Sequence, residues 1–167
     1  MIFSLFDYPL YEIPKVNTDI DSIICFNCNL QNVNKLPIQI KSLNIAYNKV
    51  QNIYNLPLNL RDLQCNNNII NNILFIPYNI TSLDISDNNI IDLHNLPPIL
   101  QLLDCSNNNN ISILFILPQT LEILNCSNTK IIKIYNLPIT LKKLYCSCNC
   151  IYKLDFLHQN IIIKNNL

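Results

Sequence analysis

The sequence predicts a solenoid in which each coil takes about 20 residues and adds one short strand to a parallel β-sheet. Six Leu-Pro or Ile-Pro pairs begin at Leu36, Leu56, Ile76, Leu96, Leu117 and Leu137. They follow one another at a 20-residue spacing, except for a 21-residue spacing between Leu96 and Leu117. Self-similarity at a fixed period is typical of repeat architectures. Half of the chain is hydrophobic and only 13% is charged, which excludes a disordered chain.

The strand of each coil is predicted around a central apolar residue. This central column holds Ile23, Leu43, Leu63, Leu83, Leu103, Leu124 and Leu144. Two residues later a second column holds Cys25, Ile45, Cys65, Ile85, Cys105, Cys126 and Cys146. Side chains two residues apart point to the same side of a strand. Both columns are therefore predicted to face the interior, while the residue between them faces outward.

A polar column follows three residues after the second inward column. After Cys28 it holds Asn48, Asn68, Asn88, Asn108, Thr129 and Asn149. An Asn amide can bond to backbone groups of its own coil and of its neighbours, so the column predicts a buried hydrogen-bonded ladder. The extra residue of the 21-residue coil lies within 107–110, and the pattern leaves open whether Asn108 or Asn109 fills the ladder position.

The return segments and the two ends complete the predicted organisation. Each Pro lacks an N–H and fixes φ, so the return side is predicted to be mostly extended, polyproline-like or 3₁₀, with little or no α-helix. Residues 1–19 are predicted to be an N-terminal cap, with a short docking peptide as the alternative. Residues 20–156 are predicted to form seven repeats, and 157–167 a degenerate C-terminal cap. In this cap Lys164 falls where the central Leu is expected.

The repeated pattern Leu-x-x-Leu-x-Cys-x-x-Asn-x-Ile, from Ile20 to Leu154, resembles the leucine-rich repeat family. The 20-residue period with its Leu-Pro resembles the short bacterial-type class of secreted effectors. The composition, with 30 Asn and 30 Ile, is similar to that of repeat proteins of giant DNA viruses and amoebae. The resemblance implies a leucine-rich-repeat solenoid whose outward strand residues line a concave face, the side that usually binds partners.

The cysteines and histidines do not indicate an enzyme. Six of the eight Cys fall in the inward or ladder columns and are predicted to be buried hydrophobic residues. Cys148 and Cys150 lie outside these columns, which leaves a reactive thiol or metal site open as an alternative. His94 is predicted to be a semi-exposed packing residue of the return side. His158 replaces the Pro of the last coil, and neither His has a nucleophile partner in the pattern.

Other features argue against metals and cofactors. The clusters Cys25–Cys28 and Cys146–Cys150 lie six coils apart, or ~29 Å, so they cannot share an ion. The chain has no glycine, which disfavours a Gly-rich phosphate loop. The sequence therefore predicts no catalytic residue, no metal and no cofactor.

A binding face is predicted from the outward strand columns. It consists of an acidic middle of Asp62, Asp84 and Asp104, and an end of Leu102, Ile123, Lys143 and Tyr145. Nothing in the fold requires Leu or Ile on an exposed sheet face. The alternative is neutral drift on a surface whose strand propensity favours Ile and Tyr.

The predicted function is a non-catalytic protein–protein interaction module that acts as a monomer on an unidentified partner protein. The net charge is zero and no basic stripe crosses the strands, so neither nucleic acid nor a membrane is an expected partner. Residues 1–10 do not resemble a signal peptide, which favours the cytoplasm, or a host cytoplasm if the protein is viral. A structural component that stacks through its ends, motivated by Ile161–Ile163, is the main alternative.

Overall fold

The computed structural model describes residues 1–17, 19–151, 153–154 and 161–164. The strands are β1 (Ile2–Phe6), β2 (Ser22–Phe26), β3 (Ser42–Asn44), β4 (Asp62–Gln64), β5 (Ser82–Asp84), β6 (Leu102–Asp104), β7 (Ile113–Leu114), β8 (Ile123–Asn125), β9 (Lys133–Ile134), β10 (Lys143–Tyr145), β11 (Lys153–Leu154) and β12 (Ile162–Lys164). The main sheet has the order β1-β2-β3-β4-β5-β6-β8-β10-β12, and all its strand pairs are parallel. The described residues contain no helix, and the predicted solenoid with its short repeat period is confirmed.

The register of the main sheet aligns the central column from coil to coil. Ile23 pairs with Leu43, and the alignment continues through each later coil to Leu144. In the second inward column Cys65, Ile85 and Cys105 are fully buried. A slip of one residue would turn every inward side chain to the surface, so burial of these columns fixes the register.

The polar column makes a repeated set of hydrogen bonds. Asn68 Nδ2 donates to the carbonyl oxygens of Ile45 in the preceding coil (2.9 Å) and Cys65 in its own coil (3.1 Å). Asn68 Oδ1 accepts from the Val50 N–H at 2.8 Å. In the 21-residue coil Asn108 holds this position, fully buried, and the extra residue lies in a turn closed by the Ile111 N–H to Asn108 carbonyl bond at 3.2 Å.

Two members of the column use other chemistry for the same contacts. The Cys28 thiol donates to the Leu5 carbonyl at 3.5 Å, the place that an Asn amide takes in later coils. The Thr129 hydroxyl lies 3.0 Å from the Cys126 carbonyl and 2.6 Å from Asn149 Oδ1. Asn149 itself donates to the Cys126 carbonyl at 2.7 Å, so the series of bonds continues past the Thr.

A column of residues with positive φ explains how the chain turns without glycine. One residue per coil, directly before the ladder position, has φ between 51° and 58°: Asp7, Asn27, Tyr47, Asn67, Asp87, Asn107, Asn128 and Cys148. Asn and Asp tolerate this left-handed region better than other residues with a Cβ. Their abundance at this position therefore replaces glycine, and Tyr47 and Cys148 are the two exceptions.

The return side differs in detail between early and late coils. Each Pro-x-x-Leu or Pro-x-x-Ile stretch forms a turn, as in the Leu60 N–H to Pro57 carbonyl bond at 3.0 Å. In the later coils the extended segments β7, β9 and β11 pair into a second, three-stranded parallel sheet. These coils thus carry a second short strand within the return side that was predicted to be extended, because return segments in neighbouring coils exchange backbone hydrogen bonds.

The ends of the solenoid add two strands beyond the seven predicted. β1 pairs with β2, and Phe3 and Leu5 extend the inward columns, so the first coil begins within the segment predicted as a cap. At the other end Ile163, not Lys164, pairs with Leu144, because the last spacing is one position shorter than the repeat period. The remaining parts of the predicted C-terminal cap, with His158, lie outside the described residues, and the cap roles stay predictions.

Candidate functional site

The outward side chains of the strands form one continuous surface, here called the strand face. Its first row runs Ser42, Asp62, Ser82, Leu102, Ile123 and Lys143. Its second row runs Asn44, Gln64, Asp84, Asp104, Asn125, Tyr145 and Lys164. All seven binding residues predicted from the sequence lie in these two rows.

A groove of about 450 Å³ brings five of the seven predicted residues together. It is lined by Asp84, Asp104, Leu102, Ile123 and Tyr145, with strand neighbours such as Gln64, Ser82 and Asn125. Asp62 and Lys143 lie next to it, because Asp62 pairs with Ser82 on one side and Lys143 pairs with Ile123 on the other. The groove therefore has an acidic side toward β4 and a basic side toward β10.

The acidic side is built on short hydrogen bonds from serines two residues along the chain. Asp84 Oδ1 accepts from the Ser86 N–H at 3.0 Å and from its hydroxyl at 2.7 Å. Asp104 Oδ1 accepts from the Ser106 N–H and hydroxyl at 3.0 and 2.6 Å. These bonds end each strand with a side-chain turn, which is a structural role for the same carboxylates. This role was not predicted, although an Asp-x-Ser spacing in successive coils is its signal.

The two carboxylates differ in their second oxygen. Asn125 Nδ2 donates to Asp104 Oδ2 at 2.8 Å, whereas no donor among the described residues reaches Asp84 Oδ2. Burial raises the pKa of the Asp84 carboxyl, the hydrogen bonds from Ser86 lower it in part, and the nearby charges of Asp104 and Asp87 raise it again. The ionised form of Asp84 is therefore destabilised, and a cation nearby would stabilise it.

The apolar and basic end is more open. The Leu102 side chain is 41% exposed, and Ile123 is half-buried beside it. The Lys164 ammonium lies 5.5 Å from the centre of the Tyr145 ring, within the range of a cation–π contact. Lys164 was not among the predicted face residues, because the shorter spacing of the last strand hides it from the repeat pattern.

Structural comparison finds the same architecture in known proteins. No protein-family model and no curated protein matches the sequence. Among solved structures, YopM, a leucine-rich effector protein from Yersinia pestis, superposes with a TM-score of 0.80 at 24% identity, covering 95% of this chain and 51% of that one. The fold is a leucine-rich-repeat solenoid.

Two further leucine-rich-repeat structures agree with this result. YopM from Yersinia enterocolitica WA-314 gives a TM-score of 0.61 at 18% identity, over 96% of this chain and 54% of that one. A Shigella effector LRR domain gives 0.70 at 23% identity, over 85% and 66%. At these identities the likeness shows the fold alone, and the chain spans about half to two-thirds of the length of these structures.

The return side of the leucine-rich-repeat array carries a larger groove, of about 760 Å³. Tyr54, Leu58, Leu74, Phe75 and Tyr78 line it, and the rings of Tyr54 and Phe75 meet edge to face at 5.1 Å. No charged residue lines this groove, so the structure gives it no feature that selects a ligand.

His94 lies on the same return side. Its Nδ1 is 3.0 Å from Asp92 Oδ1, and its ring stacks on Phe115 at 6.3 Å. The side chain is 63% exposed, which is more than was predicted for a semi-exposed packing residue. The ring packs over the surface of the array and not into it.

The cysteines of the leucine-rich-repeat array fall into two classes. Cys25, Cys28, Cys65, Cys105, Cys126 and Cys146 are buried, as predicted, and Cys148 and Cys150 are exposed. Burial raises the pKa of the Cys25 thiol to about 12, and it raises the pKa values of Cys65, Cys105, Cys126 and Cys146 as well. These thiols therefore stay protonated and unreactive at neutral pH.

Neither a metal cluster nor a membrane-crossing helix is found among the described residues. No group of three or more His, Cys, Asp or Glu side chains in the described part of the chain is arranged to hold a metal ion. The same part of the chain has no helix long and apolar enough to cross a membrane.

Proposed function

We propose that this leucine-rich-repeat array is a non-catalytic module that binds a partner protein through the strand face. The observation that carries the proposal is the pair Leu102 and Ile123, adjacent across β6 and β8 and pointing away from the core. Exposed aliphatic side chains beside a groove, with charges around them, have the composition of a protein-binding hot spot.

The other predicted residues support this assignment by their chemistry. Asp62, Asp84 and Asp104 give one side of the surface a negative charge, and Lys143 and Tyr145 border the other side. Mixed charge without a basic stripe favours a protein partner over nucleic acid or an anionic membrane. The likeness to effector structures supports an interaction role by analogy of fold.

The proposal includes a location and a type of source. It places the protein in a cytoplasm, that of a host if the gene is viral. We also propose that the protein is related to the short bacterial-type class of leucine-rich repeats and to the Asn- and Ile-rich repeat proteins of giant DNA viruses and amoebae. The protein is proposed to act as a monomer, and the partner protein is unidentified.

A matched pair of variants tests the function. The double variant Leu102→Ser and Ile123→Ser changes the strand face. The control, Ile116→Ser and Ile139→Ser, changes two residues of the return segments that are 73% and 79% exposed. Each protein is cross-linked in lysate from source or host cells, and captured proteins are identified by mass spectrometry. We expect a protein captured by wild type and control to be lost with the double variant. Equal capture by all three would exclude the strand face.

A second candidate, self-assembly through the ends, has its own observation. Phe3 and Leu5 at the edge strand β1 are only half-buried, and Ile163 at the opposite edge strand β12 is 39% exposed. An uncovered strand edge is a template for adding another strand. Light scattering at micromolar concentration tests this candidate: a rising mass with concentration would favour it, and a constant monomer mass would exclude it.

A further inference from the structure

We propose that the strand face selects an extended segment of its partner in which an apolar side chain stands between a basic and an acidic one. This inference rests on the proposed function and adds to it the order of charges that the partner presents. It follows from the positions of charged and apolar residues along the main sheet.

Charges on the strand face change sign across the sheet. Asp62, Asp84 and Asp104 stand on β4, β5 and β6, and Lys143 and Lys164 stand on β10 and β12. Leu102 and Ile123 occupy the middle, on β6 and β8. A partner that crosses the strands therefore meets carboxylates first, then aliphatic side chains, then ammonium groups.

These charges are not neutralised within the described residues. The salt bridges of this part of the chain join Met1 to Asp21, His94 to Asp92 and Lys142 to Glu122, and none involves the charged residues of the strand face. Arg61, next to Asp62, directs its guanidinium to the Asn79 carbonyl at 3.4 Å. Asp84 Oδ2 accepts no bond from the described residues, so it remains free to accept one from a partner.

The apolar middle fits a side chain better than a flat surface. The groove between Asp84, Leu102, Ile123 and Tyr145 has a volume of about 450 Å³, which lies within the range of ligand pockets. A second copy of the chain, related by a two-fold axis, would also place carboxylates opposite lysines. We assign the site to a peptide segment, because one inserted side chain can occupy a groove of this size while its neighbours reach the charges on both sides.

The spacing of the strands sets the spacing of the partner's residues. Three strand steps separate β5 from β10, which is ~14 Å at ~4.8 Å a step. An extended chain rises ~3.3 Å a residue, so about four residues span this distance. Side chains at alternate positions of an extended segment point to one side. The expected pattern is therefore basic-x-apolar-x-acidic, in either chain direction.

The experiment is a selection followed by defined peptides. Random twelve-residue peptides displayed on phage are selected on the intact protein, and the enriched peptides are then tested on the double variant Leu102→Ser and Ile123→Ser. We expect enrichment of an apolar residue flanked at two positions by opposite charges. A selected peptide is then synthesised in three versions, with its opposite charges, with two basic flanks and with two acidic flanks. Affinities are measured by fluorescence anisotropy.

Charge variants connect the peptide result to the structure. For the opposite-charge peptide, Asp84→Asn with Asp104→Asn should weaken binding at least tenfold. Lys143→Glu should weaken it too, and a peptide whose acidic residue is replaced by Lys should recover binding to that variant. Asp92→Asn, which removes an exposed carboxylate on the return side, is the matched control and should change nothing.

Each outcome separates the inference from the proposed function. Equal binding of the three charge versions, all lost in the Leu102 and Ile123 double variant, overturns the charge order and leaves the proposed function standing. Selected peptides that bind this double variant as tightly as wild type overturn both. Failure to enrich any peptide, or a dimer in light scattering that Asp84→Lys dissolves, overturns the peptide assignment.

Discussion

Replacing Asn88 by Ala would test the ladder at one of its buried positions. The Asn88 side chain is 7% exposed, and its Nδ2 donates to the carbonyls of Cys65, Ile85 and Ser86 at 3.0, 3.2 and 2.9 Å. Its Oδ1 accepts from the Ile70 N–H at 2.9 Å. The substitution removes all four bonds but leaves the strand residues unchanged.

The expected loss of unfolding free energy depends on which backbone groups lose their last hydrogen-bond partner. Each of the three carbonyls keeps another donor, from Asn68 Nδ2, Asn108 Nδ2 and the Asn67 N–H respectively. The Ile70 N–H keeps no acceptor among the described residues. One buried donor left unsatisfied costs about 1–3 kcal/mol of unfolding free energy. With a urea dependence of about 2 kcal/mol per molar, the midpoint should fall by about 0.5–1.5 M.

Urea unfolding followed by circular dichroism measures this shift. The control is Asn89→Ala, the same chemical change at the next residue. Asn89 is exposed and contributes to the ladder region only its backbone N–H, which donates to the Ile70 carbonyl at 2.8 Å. We expect the control to unfold like wild type. If Asn88→Ala and Asn89→Ala had equal midpoints, the stabilising role of the ladder would be refuted.

Three further predictions concern thiols, charge and backbone conformation. In the native protein a disulfide reagent such as DTNB should modify Cys148 and Cys150 quickly and the six buried thiols only in denaturant, and a third fast thiol would contradict the assigned burial. The raised pKa of Asp84 means that its ionised form destabilises the fold at neutral pH, so Asp84→Asn should raise the thermal midpoint at pH 7. That gain in thermal midpoint should shrink as the pH falls through the raised pKa and vanish below pH ~4, where Asp84 is neutral in the folded and the unfolded protein. A gain that does not change with pH would count against the charge of Asp84 as its cause. Replacing Asn67, whose φ is 54°, by Ala should lower the unfolding free energy by about 1–2 kcal/mol, whereas replacing it by Gly should not. Equal urea midpoints for the two variants would rule out a requirement for the left-handed conformation at this position.

The main sheet was predictable because one period governs it. Constant spacing identified the inward columns, and burial of Cys65, Ile85 and Cys105 follows from the alternation of side chains along a strand. The second sheet was not predictable, since the return segments follow one repeat pattern, yet the chain forms a turn at 54–55 in one coil and a strand at 113–114 in another. Pairing there depends on the distance between neighbouring backbones, which the pattern does not encode.

The candidate site was predictable in position but not in chemistry. The outward placement of Asp84, Leu102 and Tyr145 follows from the strand register. Their contacts do not, because the Ser86 hydroxyl reaches Asp84 only through the turn that follows the strand. Lys164 was missed because the repeat pattern assumes a constant period, while the last strand is aligned one position short of it.

The ladder bonds between neighbouring coils join residues 18 and 23 positions apart, and the central residues of most adjacent coils are one full repeat apart. Duplicating or deleting one whole repeat inside the array would give each of these groups an equivalent partner again. An insertion or deletion of another length would interrupt the series of ladder hydrogen bonds unless it fell in a turn, as the extra residue after Asn108 does. The architecture thus favours growth by whole-unit gene duplication, with new surface added each time and the interior chemistry left as it was.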